Sequence, residues 1–323
     1  MVSRRRFVGA MVAGALAGSR WARGEAARKS VRTEVLEIAY EETGAGFPVI
    51  LLHGFPDDVR AWDGVAPALA QAGYRALVPY LRGYGPTRFL DAKAPRMAEQ
   101  AAIGQDAIDF ADALQIQRFA VCGYDWGGRA AAIAAALHPE RVRAAVLIGG
   151  YTVQNTVTPG PPGPPEAERA VWYQWYFNLE RGRAGLAANR RALCKLLWKE
   201  WSPTWHFTDE TYDRTALSFD NPDFVDVVIH SYRHRLGNAP GEPRFLETER
   251  RLAQRPKIEA PAITLYGGDD GIVRGRPEIS AAERAVLPNL MAHRVIPGAG
   301  HFLPRENPEA VTAALREVLE ASR

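Results

Sequence analysis

Cysteine is almost missing from this 323-residue chain: there are two, Cys122 and Cys194. Each falls in an apolar or helical segment and reads as an ordinary buried thiol, so no disulfide framework is expected. No group of Cys and His has metal-ligand spacing, and no glycine-rich loop has the form that cradles a phosphate. Neither a metal nor a cofactor is therefore expected. Excess charge is scarce too. The net charge is +3 and no basic cluster accompanies it, which leaves no argument for a nucleic-acid partner. The apolar stretch 9–18 falls well short of the roughly 20 residues that span a bilayer, so no stable membrane anchor is expected. With 47% hydrophobic and 24% charged residues, the chain can bury one substantial core and an inserted subdomain.

The amino terminus follows a different pattern. Ser3-Arg4-Arg5-Arg6-Phe7-Val8 ahead of the small-residue apolar stretch has the layout of an export signal. The paired arginines resemble a bacterial twin-arginine leader. Residues 1–26 are read as this leader, with cleavage near Gly24-Glu25-Ala26, the export machinery as its partner and a periplasmic mature protein. A protein folded before export has no need to pair its two cysteines.

Gly123-Tyr124-Asp125-Trp126-Gly127 is the most informative segment. It joins a strand-like run, 119–122, to an alanine-rich helical stretch, 129–137, so the glycines sit where the chain turns sharply. Such elbows present a nucleophile at their tip, and the residue here is an aspartate where a serine hydrolase has serine. At the amino end of a helix its anion is favoured; capping the helix is the alternative role.

An ionised carboxylate needs no base for its own attack, but the ester it forms must still be hydrolysed. In the chain order nucleophile, acid, histidine, the candidates are Asp270, in Tyr266-Gly267-Gly268-Asp269-Asp270-Gly271, and His301, in Gly298-Ala299-Gly300-His301-Phe302. Both follow strand-like runs, 262–266 and 293–296, and so lie in the loops where open α/β sheets gather their chemistry. Asp269 is the rival acid. The strand 144–148 runs into Gly149-Gly150-Tyr151 and offers no carboxylate.

On these motifs, with His53-Gly54-Phe55-Pro56, the chain resembles the α/β-hydrolase superfamily over about residues 33–320. Within it, the chain looks like the epoxide hydrolase and haloalkane dehalogenase branch that uses an aspartate nucleophile. The resemblance implies an α/β class fold: a mostly parallel central sheet with flanking helices and an inserted helical cap. It divides the chain into a core at 33–150, a cap at 151–255 and the rest of the core at 256–323. It also implies that the backbone N–H groups of Phe55 and Trp126 form an oxyanion hole, typically worth about 3 kcal/mol per donor. His53 reads as structural. The family pattern has an acid before Leu81-Arg82-Gly83-Tyr84-Gly85, where this chain has Tyr80.

Thr158-Pro159-Gly160-Pro161-Pro162-Gly163-Pro164-Pro165 opens the cap as a stiff connector. Helical segments are expected at 166–180, 183–200, 208–218 and 222–236. Tyr173-Gln174-Trp175-Tyr176-Phe177 and Ser231-Tyr232-Arg233 resemble the two cap motifs of soluble epoxide hydrolases, which makes Tyr173 and Tyr232 candidates to stabilise the alkoxide of an opening epoxide. Packing tyrosines are the alternative, preferred for Tyr176 and Tyr212. Phe55, Trp126 and Trp175 are candidate substrate contacts. The cap aromatics Trp172, Trp175, Phe177, Trp198 and Trp205 suggest a small apolar or aryl epoxide, with water as the second reactant.

Two other readings remain. Haloalkane dehalogenases carry Asn at the position of Phe55, and haloacetate dehalogenases, similar around Trp175, Tyr232 and Arg129, place an arginine directly after the nucleophile and a histidine at the position of Gln174. A noncatalytic ligand-binding module of the same fold is the reading from another class. It would tolerate loss of the acid or the histidine, and both are present.

The leader can be tested on its own. Changing Arg4 and Arg5 to lysine is expected to hold the protein in the cytoplasm with its fold intact, because the signal is read as an address. Cell fractionation that finds the double variant in the periplasm contradicts the assignment.

Overall fold

The computed structural model describes residues 28–158, 160–273 and 277–322; the export-leader reading, at 1–26, falls outside them. Among the described residues nine strands form one sheet: β1 (Lys29–Arg32), β2 (Leu36–Thr43), β3 (Phe47–Leu52), β4 (Tyr74–Pro79), β5 (Arg88–Phe89), β6 (Phe119–Tyr124), β7 (Val142–Ile148), β8 (Ala262–Gly267) and β9 (Leu290–Ile296). Their order is β1-β2-β4-β3-β6-β7-β8-β9, with β5 paired to β2. β2 pairs antiparallel with β1, β4 and β5, and every pairing from β4 through β3 to β9 is parallel. The central strands β6 and β8 are buried along their whole length, as their unbroken apolar runs require of strands covered on both faces.

Helices α1 (Val65–Gln71), α2 (Gln100–Ala113) and α3 (Asp125–Leu137) follow the early strands, and α12 (Pro308–Ala321) closes the chain. α2 packs on α3, and α1 on α12. α12 docks through Val311, Ala314, Leu315, Val318 and Leu319, the apolar stripe of an amphipathic helix. The alanines of α3 let that helix sit close between α2 and strands β6 and β7. α3 begins at Asp125, four residues before the alanine-rich stretch.

Between β7 and β8 the chain is helical: α4 (Pro165–Ala170), α5 (Trp172–Asn178), α6 (Glu180–Trp201), α7 (Asp209–Ala216), α8 (Phe224–Arg235) and α9 (Leu246–Ala253). The single helix expected at 166–180 is two, because the backbone leaves the helical region at Val171 (φ −108°, ψ 24°). α4 buries no residue, whereas α5 buries Tyr173 and Phe177, one helical turn apart. α5, α6 and α8 pack on one another. The short α10 (Ala281–Arg284) and α11 (Leu303–Glu306) lie beyond β8 and β9. No helix among the described residues is long and apolar enough to cross a membrane. Cys122 and Cys194 are both buried and unpaired.

Register explains where the chemistry gathers. β3 and β6 are parallel neighbours with Leu52 opposite Gly123, so the loops leaving their carboxyl ends run side by side. β4 lies on the other side of β3, which makes this gap the switch point where open α/β sheets bind ligands.

Candidate active site

Asp125 stands at φ +50°, a backbone conformation that a residue with a side chain seldom adopts. Its neighbours leave no slack. A Cβ on Gly127 would lie 2.2 Å from the Leu52 carbonyl oxygen, and one on Gly54 would lie 2.5 Å from Asp125 Cβ. The two loops therefore interlock through their glycines, and the Phe55 N–H donates to Asp125 Oδ1 at 2.8 Å. The carboxylate faces that donor. His53, beside it, is a structural residue. It is fully buried, its Nε2 accepts from the Leu81 N–H at 3.1 Å, and burial lowers its pKa to about 4, keeping it neutral.

His301 Nδ1 lies 2.9 Å from Asp270 Oδ2, and its Nε2 faces Asp125 Oδ2 from 3.8 Å. Asp270 is fixed from behind, its Oδ1 accepting from the N–H groups of Ile272 at 2.7 Å and Val273 at 2.9 Å. Asp270, not Asp269, is thus the carboxylate beside the histidine. Burial alone would lower the His301 pKa, but the charge and hydrogen bond of Asp270, then the charges of Asp125 and Glu306, raise it to about 9. Glu306 was not anticipated. It accepts from the N–H groups of Gly300 at 2.7 Å and Phe302 at 3.0 Å, and so holds the histidine loop.

Asp125, His301, Asp270 and Tyr173 share the wall of a cavity of about 390 Å³. The Tyr173 hydroxyl accepts from Gln174 Nε2 at 3.2 Å. Tyr232 is fully buried just outside this wall, its ring perpendicular to that of Tyr173 at 5.4 Å, and its hydroxyl forms no well-aligned hydrogen bond among the described residues while lying close enough to Tyr173 to act on that hydroxyl. Burial, Tyr173 and the Asp125 charge all raise the pKa of Tyr232, and burial and the Asp125 charge raise that of Tyr173, so both phenols keep their protons.

None of the three expected substrate contacts lies in the cavity wall. Trp175 is 44% exposed and absent from the cavity wall. On α5 it lies two residues from Tyr173, about 200° around a helix, so the turn that buries Tyr173 and Phe177 sends Trp175 to solvent. Phe55 and Trp126 are buried but outside the wall. Their rings stack at 5.7 Å, and both pack on Tyr232. They shape the site from behind.

The wall is also more polar than the cap aromatics suggested, with Arg129, Gln154, Gln174 and Arg235 beside Val153 and Val171. Arg129 is one helical turn after Asp125, and its Nε donates to the Thr152 carbonyl at 3.0 Å. Burial and then the neighbouring Arg235 lower its pKa to about 9, which leaves it charged at neutral pH. Arg235 was missed in the sequence. Its three-residue spacing from Tyr232, on one face of α8, is the signal that points to it.

The dependence of His301 on Asp125 has a direct readout. The Asp125 anion favours the imidazolium, so Asp125→Asn, which removes that anion, is expected to lower the His301 midpoint from about 9 by about one pH unit or more. Titration followed by NMR of the ring protons measures it. An unchanged or raised midpoint contradicts the electrostatic coupling.

Residues 48–308 match the family model for the alpha/beta hydrolase fold. Epoxide hydrolase B of Mycobacterium tuberculosis is 27% identical, the alignment covering 85% of this chain and 92% of that protein. An epoxide hydrolase of Caballeronia sordidicola is 29% identical over 88% of this chain and 91% of its own length. Among solved structures, a candidate epoxide hydrolase of Klebsiella pneumoniae superposes with a TM-score of 0.87 at 43% identity, covering 92% of this chain and 97% of that one. The strand order, the elbow and the family match agree: this chain belongs to the α/β-hydrolase fold family.

Proposed function

We propose that the protein is an epoxide hydrolase that opens the ring through a covalent ester on Asp125 and releases a vicinal diol. The observation that carries this reading is a carboxylate, a phenol and an imidazole facing one cavity, from Asp125, Tyr173 and His301. Relatives named epoxide hydrolases support it.

In the first step an Asp125 carboxylate oxygen bonds to an oxirane carbon and the ring C–O bond breaks, its electron pair going to the oxygen. That oxygen becomes an alkoxide and takes a proton from the Tyr173 hydroxyl, with the Tyr232 hydroxyl beside it as the second donor. The same attack on an ordinary ester would give a mixed anhydride, which disfavours acyl substrates. Phe55 offers no side-chain donor to a departing halide, which disfavours haloalkanes.

The second step follows from the electrostatics. Once Asp125 is esterified its charge is gone, and with it one of the anions that hold the proton on His301. The imidazolium can then give its proton, through solvent, to the Tyr173 phenolate left by the first step, and the neutral imidazole acts as the base that takes a proton from water, while Asp270 orients it and stabilises the imidazolium formed. Water adds to the ester carbonyl carbon, and the backbone N–H groups of Phe55 and Trp126 receive the oxyanion. Phe55 already donates to Asp125 Oδ1. Collapse breaks the ester C–O bond, and the Asp125 carboxylic acid so formed gives its proton to the departing alkoxide, which releases the diol and restores the carboxylate.

Separating the two steps tests the assignment. Because Asp125 attacks unaided, His301→Gln is expected to open one equivalent of styrene oxide and stop at the ester. Intact-protein mass spectrometry should then show the mass of one whole epoxide, mapped by peptide analysis to Asp125. Absence of any adduct in a folded His301→Gln variant, with the wild type active, removes the ester from the mechanism.

A further inference from the structure

We infer that the Arg129–Arg235 side of the cavity binds an anionic group of the substrate, so that the preferred substrate is an epoxide bearing a carboxylate beside the ring. The substrate class rests on the epoxide hydrolase reading above; the anion site does not.

Two guanidiniums buried elsewhere are matched by carboxylates: Arg82 by Asp106 at 2.6 Å and Arg305 by Asp57 at 2.8 Å. Arg129 and Arg235 form no ion pair among the described residues. Arg129 makes one hydrogen bond, from Nε, and leaves the two ends of its fork unused. Arg235 makes none. Its Nη2 is buried without a partner, and its guanidinium carbon lies 4.6 Å from the centre of the Tyr232 ring.

Charge balance gives the sign of the missing partner. In the cavity wall Asp270 is matched by His301, and Asp125 can offset one guanidinium, which leaves one cation over. An apolar ligand filling this space would strand that excess cation away from water. A carboxylate accepts two parallel hydrogen bonds from one guanidinium and charge-assisted bonds from a second, which restores the balance. Position limits where that carboxylate sits. Arg129 is one turn from the attacking carboxylate, and Arg235 lies on the ring of one of the two phenols, so the anion belongs close to the oxirane rather than at the far end of a long chain. Gln154 and Gln174 supply further donors in the same wall.

The test compares 3-phenylglycidate with its amide, which has nearly the same shape and no charge. For the wild type, kcat/KM for the carboxylate is expected to exceed that for the amide by about tenfold or more. Arg129→Gln or Arg235→Gln should erase most of that preference, mainly through KM, and Arg235→Lys should keep part of it. Circular dichroism of each variant checks the fold. Calorimetric binding of 3-phenylpropionate against 3-phenylpropanamide reads the anion site without turnover. Preferred binding of 3-phenylpropionate that is lost in Arg235→Gln, with no epoxide opened or with chloroacetate turned over instead, leaves the anion site standing and rejects the epoxide reading. Equal turnover of both epoxides, with no preference for 3-phenylpropionate and no change in either arginine variant, overturns the anion site and leaves the epoxide reading standing.

Discussion

A residue with a side chain, held at the backbone angle of a glycine, is the constraint on which this site depends. Asp125 keeps φ +50° because the strand before it, the helix after it and the loop beside it leave no other course. Gly127 lets the start of α3 press against the Leu52 carbonyl, and Gly54 lets the neighbouring loop pass within contact of the Asp125 side chain. The strain is local, and the packing of the buried β6 and α3 holds it. What it provides is direction: the carboxylate leaves the turn toward the Phe55 N–H and the cavity.

The other side chains of the site come from loops that need anchoring of their own. The loop after β3 carries Asp57, which is fully buried and accepts from Arg305 Nε at 2.8 Å, just beyond the histidine loop. Arg305 also donates to Thr215 of α7 at 2.6 Å and lies over the ring of Trp198, whose Nε1 donates to the Pro56 carbonyl at 2.7 Å. One buried ion pair thereby ties the loop after β3, the histidine loop and the helical insertion together. Breaking such a pair leaves an uncompensated buried charge, so its contribution lies in fixing three loops at once as much as in net stability.

The parts legible in the sequence are those with local signatures. The glycines around Asp125 and the strand-then-loop settings of Asp270 and His301 need only a few neighbouring residues to be read. The choice between Asp269 and Asp270 was not local. It is decided by the turn that aims the Ile272 and Val273 N–H groups at one carboxylate. Trp175 shows how a motif misleads when helix rotation is unknown, since a break at Val171 sets which face of α5 turns inward. Arg235 stands in the last turn of α8, where a cation also suits the helix dipole, and only the cavity shows that it faces inward. Glu306 and the Asp57–Arg305 pair join residues far apart in the chain, and no pattern in the sequence points to such partners.

The central claim is that the enzyme's own carboxylate, and not water, attacks the substrate carbon. It is tested most directly by a single turnover of wild-type enzyme in excess over styrene oxide in heavy-oxygen water, with both the diol and the peptide containing Asp125 analysed by mass spectrometry. The account predicts an unlabelled diol, its new oxygen coming from Asp125, and solvent label in the Asp125 carboxylate. Label in the diol with an unlabelled Asp125 means that water attacked the epoxide directly, and contradicts it.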